Sequence, residues 1–109
     1  MASEYAIKVQ MCEIGKRIYD RGMVASNDGN ISVKVGEDRF LCTPTGVSKG
    51  FMTPEYICVV NAKGEVIEAN EGFRPSSEIK MHMRVYRERP DVMSVVHAHP
   101  MYATGFAIA

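Results

Sequence analysis

Two stretches of helical period enclose a middle segment of strand-like runs and tight turns, an order that restricts the chain to folds with helices packed on a sheet. In the first stretch Ile7, Met11, Ile14 and Ile18 recur at four, three and four residues, along one face of a helix that Ser3 can cap. Glu13 and Arg17 stand four apart on the outer side, and Gly22 supplies a stop. After the turn formers Ser26-Asn27-Asp28-Gly29-Asn30, Ile31, Val33 and Val35 alternate with Ser32, Lys34 and Gly36, the period of a half-buried strand. Gly36-Glu37-Asp38 returns the chain into a short strand from Arg39 to Cys42, which predicts an antiparallel hairpin. Thr53-Pro54-Glu55 has the form of a cap followed by proline at the first helical position. Tyr56 to Val60 and Glu65 to Ala69 read as the arms of a second hairpin. Ser76-Ser77-Glu78 opens the second helix, whose inner face is Ile79, His82, Met83 and Tyr86 and which ends at Arg89-Pro90. Val92 to His97 is expected as a buried strand. A third helix is expected over Met101 to Ala109 without a stop signal, so the chain reads as cut within an element.

Composition bounds the rest. A chain of 109 residues with 46% hydrophobic side chains is enough for one domain and too short for two. Thirteen basic and thirteen acidic residues leave no net charge, so no basic field favours nucleic acid or an anionic membrane surface. No apolar run approaches the ~20 residues of a membrane span, and the charged first twenty residues do not read as a signal peptide. Cys12, Cys42 and Cys58 are odd in number and far apart, which fits reduced thiols of a cytoplasmic protein better than a disulfide framework.

The sharpest chemical signal is His97-Ala98-His99. Side chains two apart on a strand share a face, so both imidazoles can converge on one metal ion. Cys42, Cys58, Glu78 and His82 are the candidates for further ligands. His82 sits on an apolar helix face and reads rather as a core histidine with a hydrogen-bond partner. Glu78, at a helix start, can complement the helix dipole, ligate a metal or serve as a base. Ser76 and Ser77 add two hydroxyls to the unpaired N–H groups of that helix start, an arrangement suited to a phosphate monoester, although one serine suffices as a cap. Asp28-Gly29-Asn30 and Thr43-Pro44-Thr45-Gly46 are polar turns whose backbones can approach an anion. No nucleophile elbow, Walker loop or dinucleotide fingerprint is present.

Taken in order, Gly29-Asn30-Ile31-Ser32, Thr43-Pro44-Thr45-Gly46, Ser76-Ser77-Glu78 and His97-Ala98-His99-Pro100 resemble the class II aldolase/adducin family, and within it the fuculose-phosphate aldolases. The resemblance runs over nearly the whole chain. It implies an α/β fold: a layered α-β-α domain with a mainly antiparallel central sheet, of which residues 1–109 are the N-terminal portion. By the same resemblance His97 and His99 hold a catalytic zinc ion, and Glu78 is both a resting ligand and the acid/base in turnover. Asn30, Thr45, Gly46, Ser76 and Ser77 bind the substrate phosphate, with Asn27 standing where the family often places a threonine. A third histidine ligand belongs to the family's second half. The family further implies a homotetramer.

The implied reaction is reversible aldol cleavage of a phosphorylated sugar, L-fuculose 1-phosphate, to dihydroxyacetone phosphate and L-lactaldehyde. A ribulose-phosphate 4-epimerase shares that logic but tends to carry aspartate in place of Glu78. A methylthioribulose-phosphate dehydratase is a further option within the family. A non-catalytic adducin-type module is expected to lose the metal histidines, and an inactive fragment is the remaining alternative.

Overall fold

The computed structural model describes residues 3–22 and 29–98. Helix α1 (Glu4–Asp20) precedes strands β1 (Asn30–Gly36) and β2 (Arg39–Cys42). A single helical turn, Pro54–Tyr56, leads into β3 (Cys58–Val60) and β4 (Val66–Glu68), followed by α2 (Ile79–Glu88) and β5 (Ser94–His97). The strands form one sheet in the order β4-β3-β2-β1-β5, with every neighbouring pair antiparallel. The expected third helix, from Met101 onward, lies outside the described residues.

Both faces of the sheet are covered, which is why its central strands are buried at successive positions rather than at alternate ones. Met11 of α1 packs with Ile31, Leu41, Ile57 and Val59 on one face. On the other, Ile79, Met83 and Tyr86 of α2 pack with Phe40, Cys42, Cys58 and Val60. The period of two therefore sorts each strand between two cores, giving the layered α-β-α arrangement. The inner face of α2 is buried as its spacing predicts: Ile79, His82, Met83 and Tyr86.

Three local expectations change. Ile14 is exposed, because the line of contact along α1 runs through Met11 and Gly15. A Cβ added at Gly15 would meet the Lys49 carbonyl oxygen at 2.7 Å and the Met52 methyl at 2.8 Å, so a glycine lets the helix approach the 49–52 loop. The i,i+4 ion pair on this helix is Lys16–Asp20, at 3.0 Å. Val96 is exposed as well: β5 lies at the edge of the sheet among the described residues and alternates between exposed and half-buried positions. Ser3 caps α1 as expected, accepting from the Ala6 N–H at 3.1 Å. Arg39 anchors that helix to β2 by donating from Nε and Nη2 to the two carboxylate oxygens of Glu4, each at 2.9 Å. This fork holds the Glu4 carboxyl below its ordinary range.

The close approach at Gly15 generates a test. Gly15→Ala adds helix propensity worth ~1 kcal/mol, yet the new methyl must displace a backbone carbonyl. Urea denaturation should show net destabilisation of about 1–3 kcal/mol. A stabilised variant would contradict the packing described.

Candidate active site

The start of β1, the end of β5 and the first turn of α2 meet at one corner of the sheet. In the antiparallel β1/β5 ladder Asn30 is directly opposite His97. Glu78 occupies the N-cap position of α2 and turns its carboxylate into the same corner. Its Oε2 accepts a hydrogen bond from Asn30 Nδ2 at 2.8 Å and lies 2.5 Å from His97 Nδ1. Asn30 is buried, His97 half-buried, and Glu78 more open, with 43% of its side chain exposed. One carboxylate oxygen thus joins three elements whose residues are 48 and 19 positions apart in sequence.

The loop before α2 is shaped by its own hydrogen bonds. Ser76 Oγ accepts from the Glu78 N–H at 3.2 Å, a local turn that leads the chain into the helix. Ser77, its neighbour, is exposed. Thr43 Oγ1 accepts from the Ile31 N–H at 3.1 Å, and the Thr43 N–H donates to the Ile31 carbonyl at 3.0 Å. Pro44 bridges to Pro75, and the Thr45 N–H donates to the Arg74 carbonyl at 2.9 Å. The two polar loops are therefore stitched side by side. Between them lies an open groove of about 530 Å³ lined by Thr45, Gly46, Gly72, Phe73 and Arg74. Gly46 takes a φ of 76°, a conformation that favours glycine.

Of the residues singled out from sequence, the structure brings together Glu78, His97 and Asn30, with Ser76 bonded to the Glu78 backbone. Thr45 and Gly46 line the adjoining groove. His99 and Asn27 lie outside the described residues. Cys42 and Cys58 face each other across β2 and β3 inside the α2-side core. Burial pushes the Cys58 thiol up to about 11 and Cys42 higher still, so both remain protonated and are poor ligands. Among the described residues no group of three candidate ligands forms. A carboxylate oxygen beside an imidazole nitrogen nevertheless matches the donor chemistry of a divalent transition-metal site.

Sequence reasoning missed a buried polar chain beneath this corner. Ser32 Oγ lies 2.6 Å from His82 Nδ1 and 2.8 Å from the Tyr86 hydroxyl. The signal available was Ser32 itself, a polar residue on a strand two positions from Asn30. Arg74 in the groove wall was also missed; an arginine shortly before a serine pair was the clue. For His82, the expectation of a core histidine with a partner is met. Burial, reinforced by the nearby His97 and partly offset by Glu78, lowers its pKa to about 4.

The model of the class II aldolase and adducin N-terminal domain matches residues 9–109. The chain belongs to this family. An L-fuculose phosphate aldolase of Methanococcus vannielii is 39% identical over 100 residues, covering 92% of this chain and 51% of the relative. A 3-oxo-tetronate 4-phosphate decarboxylase of Haemophilus influenzae is 32% identical over 105 residues, covering 96% and 49%. Among solved structures, an L-fuculose 1-phosphate aldolase superposes with a TM-score of 0.83 at 32% identity, covering 98% of this chain and 50% of that one. YgbL of Klebsiella pneumoniae, described as a putative aldolase/epimerase/decarboxylase, gives 0.88 at 30% identity, with 98% and 50% covered. The chain spans about half the length of the curated relatives it matches. Among the described residues no helix is long and apolar enough to cross a membrane.

The depressed pKa of His82 has a definite sign for stability. The unfolded imidazole titrates near 6.5 and the folded one near 4, so the unfolded state binds more protons in between. This contribution is complete above pH 6.5 and is lost as the pH falls toward 4. Urea midpoints should show a loss of about 2 kcal/mol between pH 7 and pH 5. His82→Gln should flatten that slope; an unchanged slope in the variant would assign it to other groups.

Proposed function

We propose that residues 1–109 are the N-terminal portion of a single class II aldolase domain, and that the intact protein reversibly cleaves a ketose 1-phosphate. L-Fuculose 1-phosphate, split to dihydroxyacetone phosphate and L-lactaldehyde, is the favoured substrate. The observation that carries this reading is the convergence of Glu78, His97 and Asn30 at the tip of α2, beside the serine pair. Relatives named as fuculose phosphate aldolases support the choice of sugar.

In aldol cleavage a base takes the proton of the C4 hydroxyl, the C3–C4 bond breaks, and its electron pair moves onto the ketone to give an enediolate. Protonation at C3 then yields dihydroxyacetone phosphate. Zinc held by His97, His99 and Glu78 would supply Lewis-acid stabilisation of that enediolate. Glu78 is the proton carrier: its carboxylate, freed when substrate enters, collects the proton and returns it to carbon. Asn30 steadies Glu78 by donating to Oε2, and it would share in holding the substrate phosphate. Ser76, Ser77, Thr45, Gly46 and Asn27 complete the phosphate site, with the N–H groups at the start of α2 contributing to the same charge. Binding the phosphate there holds the reacting carbons against the acid/base group, so that remote binding energy serves orientation.

A second reading is decarboxylation of a 3-oxo-tetronate 4-phosphate, favoured by relatives of that name at 31–32% identity. Loss of carbon dioxide from a 3-oxo acid leaves an enolate of the same kind, so the corner suits either reaction. Both reactions release dihydroxyacetone phosphate, so assaying the intact protein with both substrates separates them by the co-product: L-lactaldehyde or carbon dioxide.

Glu78→Gln should lower kcat for the preferred substrate by roughly 10²–10⁴-fold. Retained activity would remove Glu78 from the acid/base role. Ser77→Ala, at an exposed position, should raise KM by about tenfold with little change in kcat, the loss of one charge-assisted hydrogen bond. An unchanged KM would place the phosphate elsewhere.

A further inference from the structure

The open groove beside the site has a wall that is fixed from several sides. The Thr45 N–H donates to the Arg74 carbonyl at 2.9 Å, and Pro75 bridges to Pro44, so the loop carrying Arg74 is held against the Thr43–Gly46 turn. Behind it, Phe73 stacks on Tyr56 with ring centroids 4.4 Å apart. The Phe73 N–H donates to the Asn70 carbonyl at 3.1 Å, and Asn70 Nδ2 donates to the Glu55 carbonyl at 2.7 Å. As the residue before a proline, Arg74 is also biased toward extended backbone. Its root is therefore set by neighbours on both sides, while the residue itself is exposed in the groove wall.

The rest of the lining leaves room for a ligand. Gly46 and Gly72 take φ of 76° and 88°, and a Cβ built on either would meet nothing within 4 Å. These glycines serve the turns rather than close packing, and their backbones stay approachable. Of the described residues that line the groove, only Arg74 is charged. Arg39, Arg84 and Arg89 are each engaged by a carboxylate, whereas Arg74 has no ion pair among the described residues. The charge balance of the site gives this free guanidinium a role. Asn27, Asn30, Thr45, Gly46, Ser76 and Ser77, assigned above to the phosphate, offer hydroxyls, amides and backbone N–H groups, all of them neutral. A phosphate monoester carries about 1.5–2 negative charges near pH 7. Hydrogen bonds from a charged donor are roughly twice as strong as neutral ones, and a guanidinium matches phosphate oxygens two at a time. Thr45 and Gly46 belong both to the phosphate set and to the groove that Arg74 lines, so the cation and the neutral donors border one space.

We propose that Arg74 is a specificity-determining residue whose guanidinium supplies the positive charge for the substrate's phosphate group, so that the site selects a phosphorylated sugar over its neutral parent. This rests on the phosphate site proposed above. The neutral donors give the phosphate its place, and Arg74 gives the preference for its charge.

Two variants of the intact protein test this. For L-fuculose 1-phosphate, Arg74→Gln should raise KM by about 10- to 100-fold, and Arg74→Lys, which keeps the charge, should stay within about fivefold of the parent. In Arg74→Gln the ratio of kcat/KM for L-fuculose 1-phosphate to that for unphosphorylated L-fuculose should fall by the same factor. A merely structural role in the loop would slow both substrates together, and an unchanged ratio would overturn the proposal. Calorimetric titration with dihydroxyacetone phosphate reads binding without turnover. Its affinity should drop by about 10- to 100-fold in Arg74→Gln and depend less steeply on salt than in the parent, because a charge contact has been removed. Equal affinity or equal salt dependence in the two proteins would overturn the proposal. If the intact protein cleaves no ketose phosphate yet shows this difference in binding, the proposal stands and only the reaction assigned above is refuted.

Discussion

A single carboxylate oxygen, Oε2 of Glu78, is where the sheet and the second helix are held in a common geometry. It takes one hydrogen bond from a buried amide on β1 and lies against an imidazole at the end of β5. Neither contact is deep enough to supply much of the fold's stability, since over a third of the Glu78 side chain meets solvent. The placement comes from the packing beneath. Ile79, Met83 and Tyr86 bury α2 against Phe40, Cys42, Cys58 and Val60, each large apolar group contributing roughly 1.5–3 kcal/mol. That packing puts the helix tip over the Asn30–His97 pair, and the carboxylate then has only a short distance to close.

The site is also polar on two levels. In the outer level Asn30, Glu78 and His97 meet around a carboxylate that is partly open to solvent. One step inward Ser32, His82 and Tyr86 link β1 and α2 in the core. Buried polar groups of this kind are expensive unless satisfied, so a network that joins β1 to α2 ties their relative positions more narrowly than apolar packing alone. Such precision matters for proton transfer, where the donor and acceptor must lie within hydrogen-bond reach.

Much of this was readable beforehand, and what was not has physical causes. The inner face of α2 followed from the spacing of Ile79, His82, Met83 and Tyr86, because helical period survives in sequence. The turns at Thr43–Gly46 and before Ser76 were visible from proline, glycine and serine. Ile14 was misplaced because a glycine, Gly15, controls how α1 approaches the 49–52 loop, and periodicity counts only apolar side chains. Val96 was misplaced because burial of β5 depends on its place in the sheet, at the edge among the described residues, which strand order decides and local pattern does not. The Asn30–His97 pairing joins positions far apart in sequence, and no local signal encodes such a register. Of the His97–His99 pair, only His97 falls within the described residues, where its imidazole lies against Glu78.

The central claim is that Glu78 moves a proton to and from the carbon of an enediolate at this corner. Incubating the intact protein with dihydroxyacetone phosphate in deuterium oxide tests it without an aldehyde partner or carbon–carbon bond cleavage. Proton NMR should show one of the two hydroxymethyl hydrogens at C3 replaced by deuterium, with exchange suppressed in Glu78→Gln while the ligand still binds. Exchange that continues undiminished in that variant would contradict the account.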